Sequence, residues 1–424
     1  MIRKNIAIIG GGVAGLTATY LLSKKHDVTL FEANDYIGGH THTIPLTEGP
    51  DAGTGIDTGF IVCNLQNYPH FCKLLTELNV PLQDSDMSFS YYQTHPEEFY
   101  YSSDFPRGLF AQSQNILSPK YWKFLQEILR FNKSALYDLK EKKLADISLI
   151  HYLEKNNYSK SFIDYYILPM GSAIWSASYE EITLFPAQTF IQFWSNHGLL
   201  QVTGRPQWKT VAGGSKTYVT AMLKKLENHY HISRAITSIK RTENQIQLTE
   251  TDGTKHNFDD IVIATHADQA YTLLSDPTDA ETKLLSPWKY SKNHTVLHTD
   301  SRLMPQDKKI WASWNYLNTS DTNAKNPIAL TYYMNRLQNL KTKNNYFVSL
   351  NPPQNIAVDP KKIIAEMIYT HPIFSSQALQ TQKDLPSLNG VQHTYFCGSY
   401  FGYGFHEDAV TSAVKIAENF GIDW

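Results

Sequence analysis

The 424-residue chain sets 38 Lys and Arg against 40 Asp and Glu, and a net charge of −2 gives no general reason to expect nucleic acid as a partner. Charged residues reach only 18% while aromatics reach 13%, which calls for extensive apolar lining in a chain long enough for two domains. Three cysteines, Cys63, Cys72 and Cys397, suit neither a disulfide framework nor a metal motif, so no metal centre and a reducing, cytoplasmic compartment are expected.

The first strand, Asn5 to Ile9, starts almost at once, so no cleavable signal segment is expected. No uncharged apolar run has the length needed to cross a bilayer. Gly10-Gly11-Gly12-Val13-Ala14-Gly15 follows the strand and satisfies G-x-G-x-x-G. Leu16 to Lys25 reads as a helix, and Asp27 to Phe31 as a second strand ending at Glu32 and Ala33. Each part has a mechanical reason in a dinucleotide site. Gly10 permits the tight turn, Gly12 admits a pyrophosphate, and Gly15 brings helix and strand close. The helix N-terminus offers free N–H groups and partial positive charge. Glu32, twenty residues after Gly12, suits a ribose and would repel a 2′-phosphate, so NADP is not the expected ligand.

Gly38-Gly39-His40-Thr41 comes next, and its two glycines suit either a close pass under a phosphate or an ordinary turn. Ile56 to Val62 reads as an apolar strand with Gly59 in its middle, flanked by Phe60 and Ile61; such a glycine marks close approach of another surface. Residues 76 to about 200 are read as mainly helical. Ser118-Pro119 opens a helix bearing Tyr121, Trp122, Leu125, Ile128 and Leu129 among Lys120, Lys123, Arg130 and Lys133. That pattern fits either a solvated surface helix or one resting on an anionic membrane. From residue 205 an α/β pattern returns. Gly213-Gly214-Ser215 precedes a helix, a strand meander begins at Ile236, and Asp260 to Ala264 reads as a buried strand. Further strands are expected at Thr295–His298, Ala329–Met334 and Tyr346–Leu350. At the C-terminal end, Gly398-Ser399-Tyr400-Phe401-Gly402-Tyr403-Gly404-Phe405 leads into a helix from Glu407 to Phe420. That loop is either a second anion site or a plain turn, and Glu407 and Asp408 already complement the helix dipole.

Together, Gly10–Gly15, Glu32, Gly38-Gly39, Asp57-Thr58-Gly59, Gly213-Gly214-Ser215, Ile236 and Gly398 through Ala413 resemble the flavin-containing amine oxidase superfamily, which includes phytoene-desaturase-like enzymes. A closer likeness is to a bacterial subgroup of predicted flavoproteins often encoded beside cyclopropane-fatty-acid synthases. It rests on Pro169–Ser176, Asn196–Leu200, Arg205–Trp208 and Tyr403–Asp408. The resemblance implies an α/β fold, with a Rossmann-like FAD-binding domain (1–75, 205–270, 391–424) interleaved with an α+β substrate domain (76–204, 271–390). It implies FAD. Gly12, Gly15 and Glu32 fall to the AMP half and Gly39 and Thr41 to the pyrophosphate and ribityl chain, with Gly10, Val13, Ala14, Ala33, Gly38 and His40 as further expected cofactor contacts. Ile236 falls to adenine, Gly59, Phe60, Gly404 and Phe405 flank the ring, and Ile61, Gly398, Ser399 and His406 are further expected cofactor contacts. His40 stands where an arginine is usual, and Ser399 where an acid is usual. Cys397 is misplaced for a covalent link, so noncovalent FAD is expected. No lysine clearly matches the one that positions a water near flavin N5 in the oxidases; Lys289 and Lys292 lie nearby, and Asn293 is a candidate for its slot.

The expected chemistry is hydride transfer from a substrate C–H bond to FAD, the substrate being an amine or a lipid acyl or isoprenoid chain. His406 and His197 are the expected proton-handling residues, because histidine titrates near neutrality. Trp175, Trp208, Tyr400 and Tyr403 are expected at the substrate. The alternative is a redox-inactive flavin-binding scaffold; a reductase fed by NAD(P)H lacks a second G-x-G-x-x-G.

Overall fold

The computed structural model describes residues 2–424 apart from 202, 228, 244 and 319–328. Five parallel strands form one sheet in the spatial order Tyr230–His231, Asp27–Phe31, Asn5–Ile9, Asp260–Ile263 and Thr394–Phe396. Parallel strands need crossovers and covered faces. Accordingly Ile6, Ala7, Ile8, Ile261, Val262 and Ile263 have no exposed surface. The first crossover is the helix Val13–Leu22, every residue of which is buried. The final helix, His406–Asn419, packs against it. Ala14 and Ala18 on one helix, and Ala409, Ala413 and Ala417 on the other, carry nothing beyond Cβ, so the two helices lie close within one core.

A three-stranded antiparallel meander, Ile236–Arg241, Ile246–Glu250 and Lys255–Phe258, joins this half. The other half is a seven-stranded sheet in the order Ile363–Ile373, Lys289–His298, Phe347–Leu350, Leu330–Tyr333, Trp314–Asn318, Phe89–Gln93 and Phe99–Ser102. Its pairs are antiparallel except Trp314–Asn318 with Phe89–Gln93. Helices between Pro119 and Asn196 cover it with an aromatic core containing Phe131, Phe162, Phe190 and Trp194.

The mainly helical reading of 76–200 missed two strands of this sheet, Phe89–Gln93 and Phe99–Ser102. All five residues of Phe89–Gln93 are buried, so the polar-out alternation that marks a strand is absent. The predicted strand at Thr295–His298 is the end of a ten-residue strand, Lys289–His298. The single strand expected over 56–62 is two short ones, Gly55–Asp57 and Val62–Cys63. Between them the chain crosses the 40–42 segment: Thr58 N–H donates to the His42 carbonyl and Phe60 N–H to the His40 carbonyl. A Cβ at Gly59 would lie 2.3 Å from the His40 carbonyl oxygen, so the surface it approaches is the chain's own backbone.

Candidate functional site

The glycine turn divides its work among three residues. Gly10 adopts φ +103°, and a Cβ there would press on the Ala264 carbonyl at 2.9 Å. A Cβ at Gly15 would lie 1.9 Å from the Gly10 carbonyl oxygen, so Gly15 sets the helix-to-strand distance. A Cβ at Gly12 would meet nothing within 4 Å, because Gly12 borders open space. The helix that follows has no side-chain N-cap and no acid in its first turn. Its N-terminal N–H groups and dipole are left for an anion. Glu32 is buried. Its Oε2 accepts from Gly11 N at 2.6 Å, and its Oε1 accepts from Asn34 N and Nδ2, both at 2.8 Å.

These residues open onto a cleft of about 1240 Å³ that runs between the two halves. Single ligand pockets commonly measure about 300–1000 Å³, so the cleft has room for a dinucleotide with a substrate. Every cofactor, catalytic and substrate candidate from the sequence lines it except Gly15, which lies beneath Gly10, and Thr41, which lies beneath His406; Lys289, Lys292 and Asn293, the candidates for the lysine slot, do not line it. Asp57 and Ser215 do not line it. Asp57 accepts from Thr43 Oγ1 at 2.5 Å and from Ser215 N and Oγ at 2.8 Å, tying two motif segments together; burial pushes its carboxyl up to about 6.

The C-terminal loop is not a free anion site. Asp408 Oδ2 accepts from Tyr403 N at 3.0 Å and Phe405 N at 2.9 Å, and burial raises its carboxyl to about 7. Gly404 is at φ +93°, and a Cβ there would meet the Phe374 ring at 2.9 Å. Tyr400 underlies Gly398 and packs on Trp288 with 1% exposure, so it is more wall than contact surface.

Neither proposed proton-handling histidine is held near neutrality. His406 stacks on Phe60 with ring centroids 3.6 Å apart, and its Nε2 is bonded to Thr41 Oγ1 at 3.1 Å and Tyr218 OH at 3.0 Å. Burial drives its pKa well below the usual value. His197 caps the helix Ala187–Asn196 and stacks on Phe193. Its Nδ1–H donates to the Phe193 carbonyl at 3.0 Å, and burial lowers it to about 4. That bond leaves the His197 Nε2 lone pair as the acceptor.

A group of imidazoles went unrecognised in the sequence. The His40 and His371 rings lie 5.2 Å apart, His266 is 6.3 Å from His40, and all three line the cleft. Burial lowers His40 and His266 to about 4 and His371 to about 3, the second cause at His371 being His40. A relay fixes the His371 tautomer. The backbone N–H of His294 donates to Asn351 Oδ1, at 3.0 Å, so Asn351 must present Nδ2 to Asn293 Oδ1, at 2.9 Å. Asn293 in turn presents Nδ2 to His371 Nδ1, at 3.1 Å. Nδ1 accepts, so the proton of neutral His371 sits on Nε2. Asn293→Ala is expected to release this constraint. Ring ¹⁵N shifts of His371 should then move from a pure Nε2–H pattern to a tautomer mixture, while the parent-like circular dichroism is kept.

The residues fit a flavin dinucleotide. Four side chains on the cleft wall carry buried polar atoms with no protein partner: His40 Nε2, Trp175 Nε1, Trp314 Nε1 and Tyr400 OH. Buried polar atoms need partners, and a ligand rich in acceptors supplies them. Glu32, Arg234 and Ile236 line the cleft together with the glycine turn, where the adenosine half of such a ligand needs them.

The sequence model for flavin-containing amine oxidoreductases matches residues 13–326. The chain belongs to that family. The family and the dinucleotide cradle together make FAD the cofactor. The chain is similar to the 1-hydroxycarotenoid 3,4-desaturase of Flavobacterium sp. (strain P99-3), 36% identical over 102 residues, which are 24% of this chain and 19% of that protein. It is similar to a probable flavin-containing monoamine oxidase A of Dictyostelium discoideum, 24% identical over 269 residues, 61% of this chain and 57% of that one. The matches thus span about a fifth and just over half of the relatives' lengths. In fold it resembles cyclohexylamine oxidase from Brevibacterium oxydans IH-35A, with TM-score 0.68 and 14% identity over 99% of this chain and 100% of that one.

Proposed function

We propose that this flavoprotein oxidises a C–H bond of a lipid acyl or similar apolar chain, with FAD held noncovalently. The observation that carries the substrate reading is the charge state of the cleft wall. An amine substrate is a cation and needs an uncommitted acid or a free aromatic frame. Of the acids lining the cleft, Glu32 holds Gly11 and Asn34, while Asp86 and Asp104 are both engaged by Arg336 at 3.0 and 2.8 Å. Asp268 receives the Gln269 N–H at the start of a helix. Phe405 stacks on Phe193 at 4.8 Å, so one face of any frame is already filled. Met170, Ala173, Ile174, Trp175 and Leu199 extend the wall with apolar surface. Likeness to a carotenoid desaturase, and to a subgroup often encoded beside cyclopropane-fatty-acid synthases, supports the same reading. Cys397 is buried in the core, and its thiol is pushed up to about 12, which favours noncovalent binding.

When bound, FAD supplies the hydride acceptor. The chain's residues supply the rest. The glycine turn and first helix would hold the pyrophosphate, and Glu32 would accept from the ribose hydroxyls. His197 offers a neutral Nε2 lone pair to a departing proton, and His371 offers an Nε2–H. Anaerobic mixing with a detergent-dispersed phospholipid, an amine panel and NADH tests the reading. Lipid alone is expected to bleach the oxidised flavin, and His197→Ala to slow that bleaching by about 100-fold without altering flavin content. Bleaching by an amine and not by lipid overturns the substrate; bleaching by none leaves a redox-inactive scaffold.

A further inference from the structure

We propose that the face built on the helix Pro119–Lys140 and the loop before it docks on an anionic lipid bilayer. This rests on the acyl-chain reading above and supplies the route by which such a substrate arrives. The helix buries Tyr121, Phe124, Phe131 and Ala135 against the aromatic core. Its opposite side is not the polar surface such a helix normally presents. Trp122, Leu129 and Leu136 recur every seven residues along it, exposed by 45%, 56% and 37%. In the loop ahead of the helix, Phe105 is 78% and Leu117 87% exposed. With Ile116 and Tyr137, this stretch holds seven of the fourteen exposed large apolar side chains among the described residues, a concentration that scattered surface leucines do not produce.

The charges around these side chains identify the partner. Arg107, Lys120, Lys123, Lys133 and Lys140 are exposed and make no ion pair or side-chain hydrogen bond among the described residues. The acids of the same helix are engaged elsewhere. Glu127 is buried and accepts from Ser159 N at 3.0 Å, and Asp138 accepts from Tyr152 OH at 2.9 Å. So a chain of net charge −2 presents, from Arg107 to Lys140, an outward face whose free charges are positive, with exposed Glu141 only at the helix C-cap. Lysines interleaved with tryptophan and leucine suit a headgroup boundary, where the apolar side chains sink and the ammonium groups stay level with phosphates. A second copy of the chain fits poorly, since a twofold contact would set these unpaired lysines against their own kind. The face is also continuous with the cleft: Ser103 and Asp104 line it, and exposed Phe105 is the next residue.

Flotation of the holoprotein with vesicles tests this without turnover, so its result is separate from that of the substrate titration. Vesicles of phosphatidylcholine with phosphatidylglycerol are expected to carry the protein, and raised salt to release it. Lys120→Glu/Lys123→Glu/Lys133→Glu and Leu117→Glu/Leu129→Glu are each expected to weaken binding on the order of 100-fold, with flavin absorbance unchanged. Leu184→Glu, at an apolar residue 62% exposed outside this face, is expected to bind as the parent does. Failure to float with anionic vesicles overturns the proposal, as does unimpaired binding by both multiple variants. Light scattering that shows a dimer which those variants dissolve, without vesicle binding, also overturns it and assigns the face to a second copy.

Discussion

Gly12→Asp is expected to yield a folded protein that does not hold FAD. The backbone at Gly12 is at φ −70°, open to any residue, and a Cβ there touches nothing. The fold therefore has no objection to the side chain. The carboxylate enters the space reserved for a diphosphate, at the end of an uncapped helix. Two unit charges 4 Å apart repel by about 4 kcal/mol at an effective dielectric near 20, or about 1000-fold in affinity. Gly12→Ala separates charge from bulk and should weaken FAD far less. Gly15→Val is the counterpart, since its Cβ would fall 1.9 Å from the Gly10 oxygen and the helix must move. That variant should lose several degrees or more of melting temperature, with FAD lost only as a consequence. Flavin content after gel filtration and thermal melts of both apoproteins check the pair. A colourless Gly12→Asp that also fails to fold would contradict the assignment.

The protein is also expected to lose stability steeply as pH falls from about 6.5 to about 4. His40, His197, His266 and His298 titrate at about 4 in the fold and His371 at about 3, all lowered by burial, against about 6.5 for the unfolded chain. Their folded pKa values are depressed, so between these limits the unfolded chain binds protons that the folded one refuses. The imidazole contribution to stability is complete above pH 6.5 and drains away as pH drops through that window. Asp57 and Asp408 act in the opposite sense. Their raised values of about 6 and 7 mean the fold keeps protons that the unfolded carboxyls release, a contribution present at low pH and lost as pH rises. With His406, which burial also drives well down, six imidazoles against two carboxyls leave a net uptake of about four protons on unfolding near pH 5. Urea unfolding at a series of pH values gives that number from the slope. A flat profile would mean the imidazoles are not held neutral.

The nucleotide turn was legible in the sequence because its mechanics are local: strand, glycines, helix and Glu32 fall within about thirty residues, and each answers to one steric or electrostatic need. The parallel sheet followed from it. The imidazole group was not legible, because His40, His266 and His371 are scattered over more than three hundred residues and converge only through the sheet register that sets Lys292 beside Thr370 and Ser291 beside His371. His406 illustrates the reverse error. Its place at the start of the last helix suggested a titrating group, but the fold surrounds it with Phe60, Phe71 and two hydroxyls. The start of the helix Pro119–Lys140 was predicted at Ser118-Pro119, while its end was not. Its partner was open, because composition alone does not say which lysines find acids.

The contact between the first and last helices has a bearing on biosynthesis. A ribosome-bound chain that has emerged only to residue 390 lacks the outer strand Thr394–Phe396 and the helix that rests on Val13–Leu22. The coenzyme cradle is thus begun well before it is sealed, and nascent chains should acquire their yellow colour only once Thr394–Phe396 and His406–Asn419 have emerged.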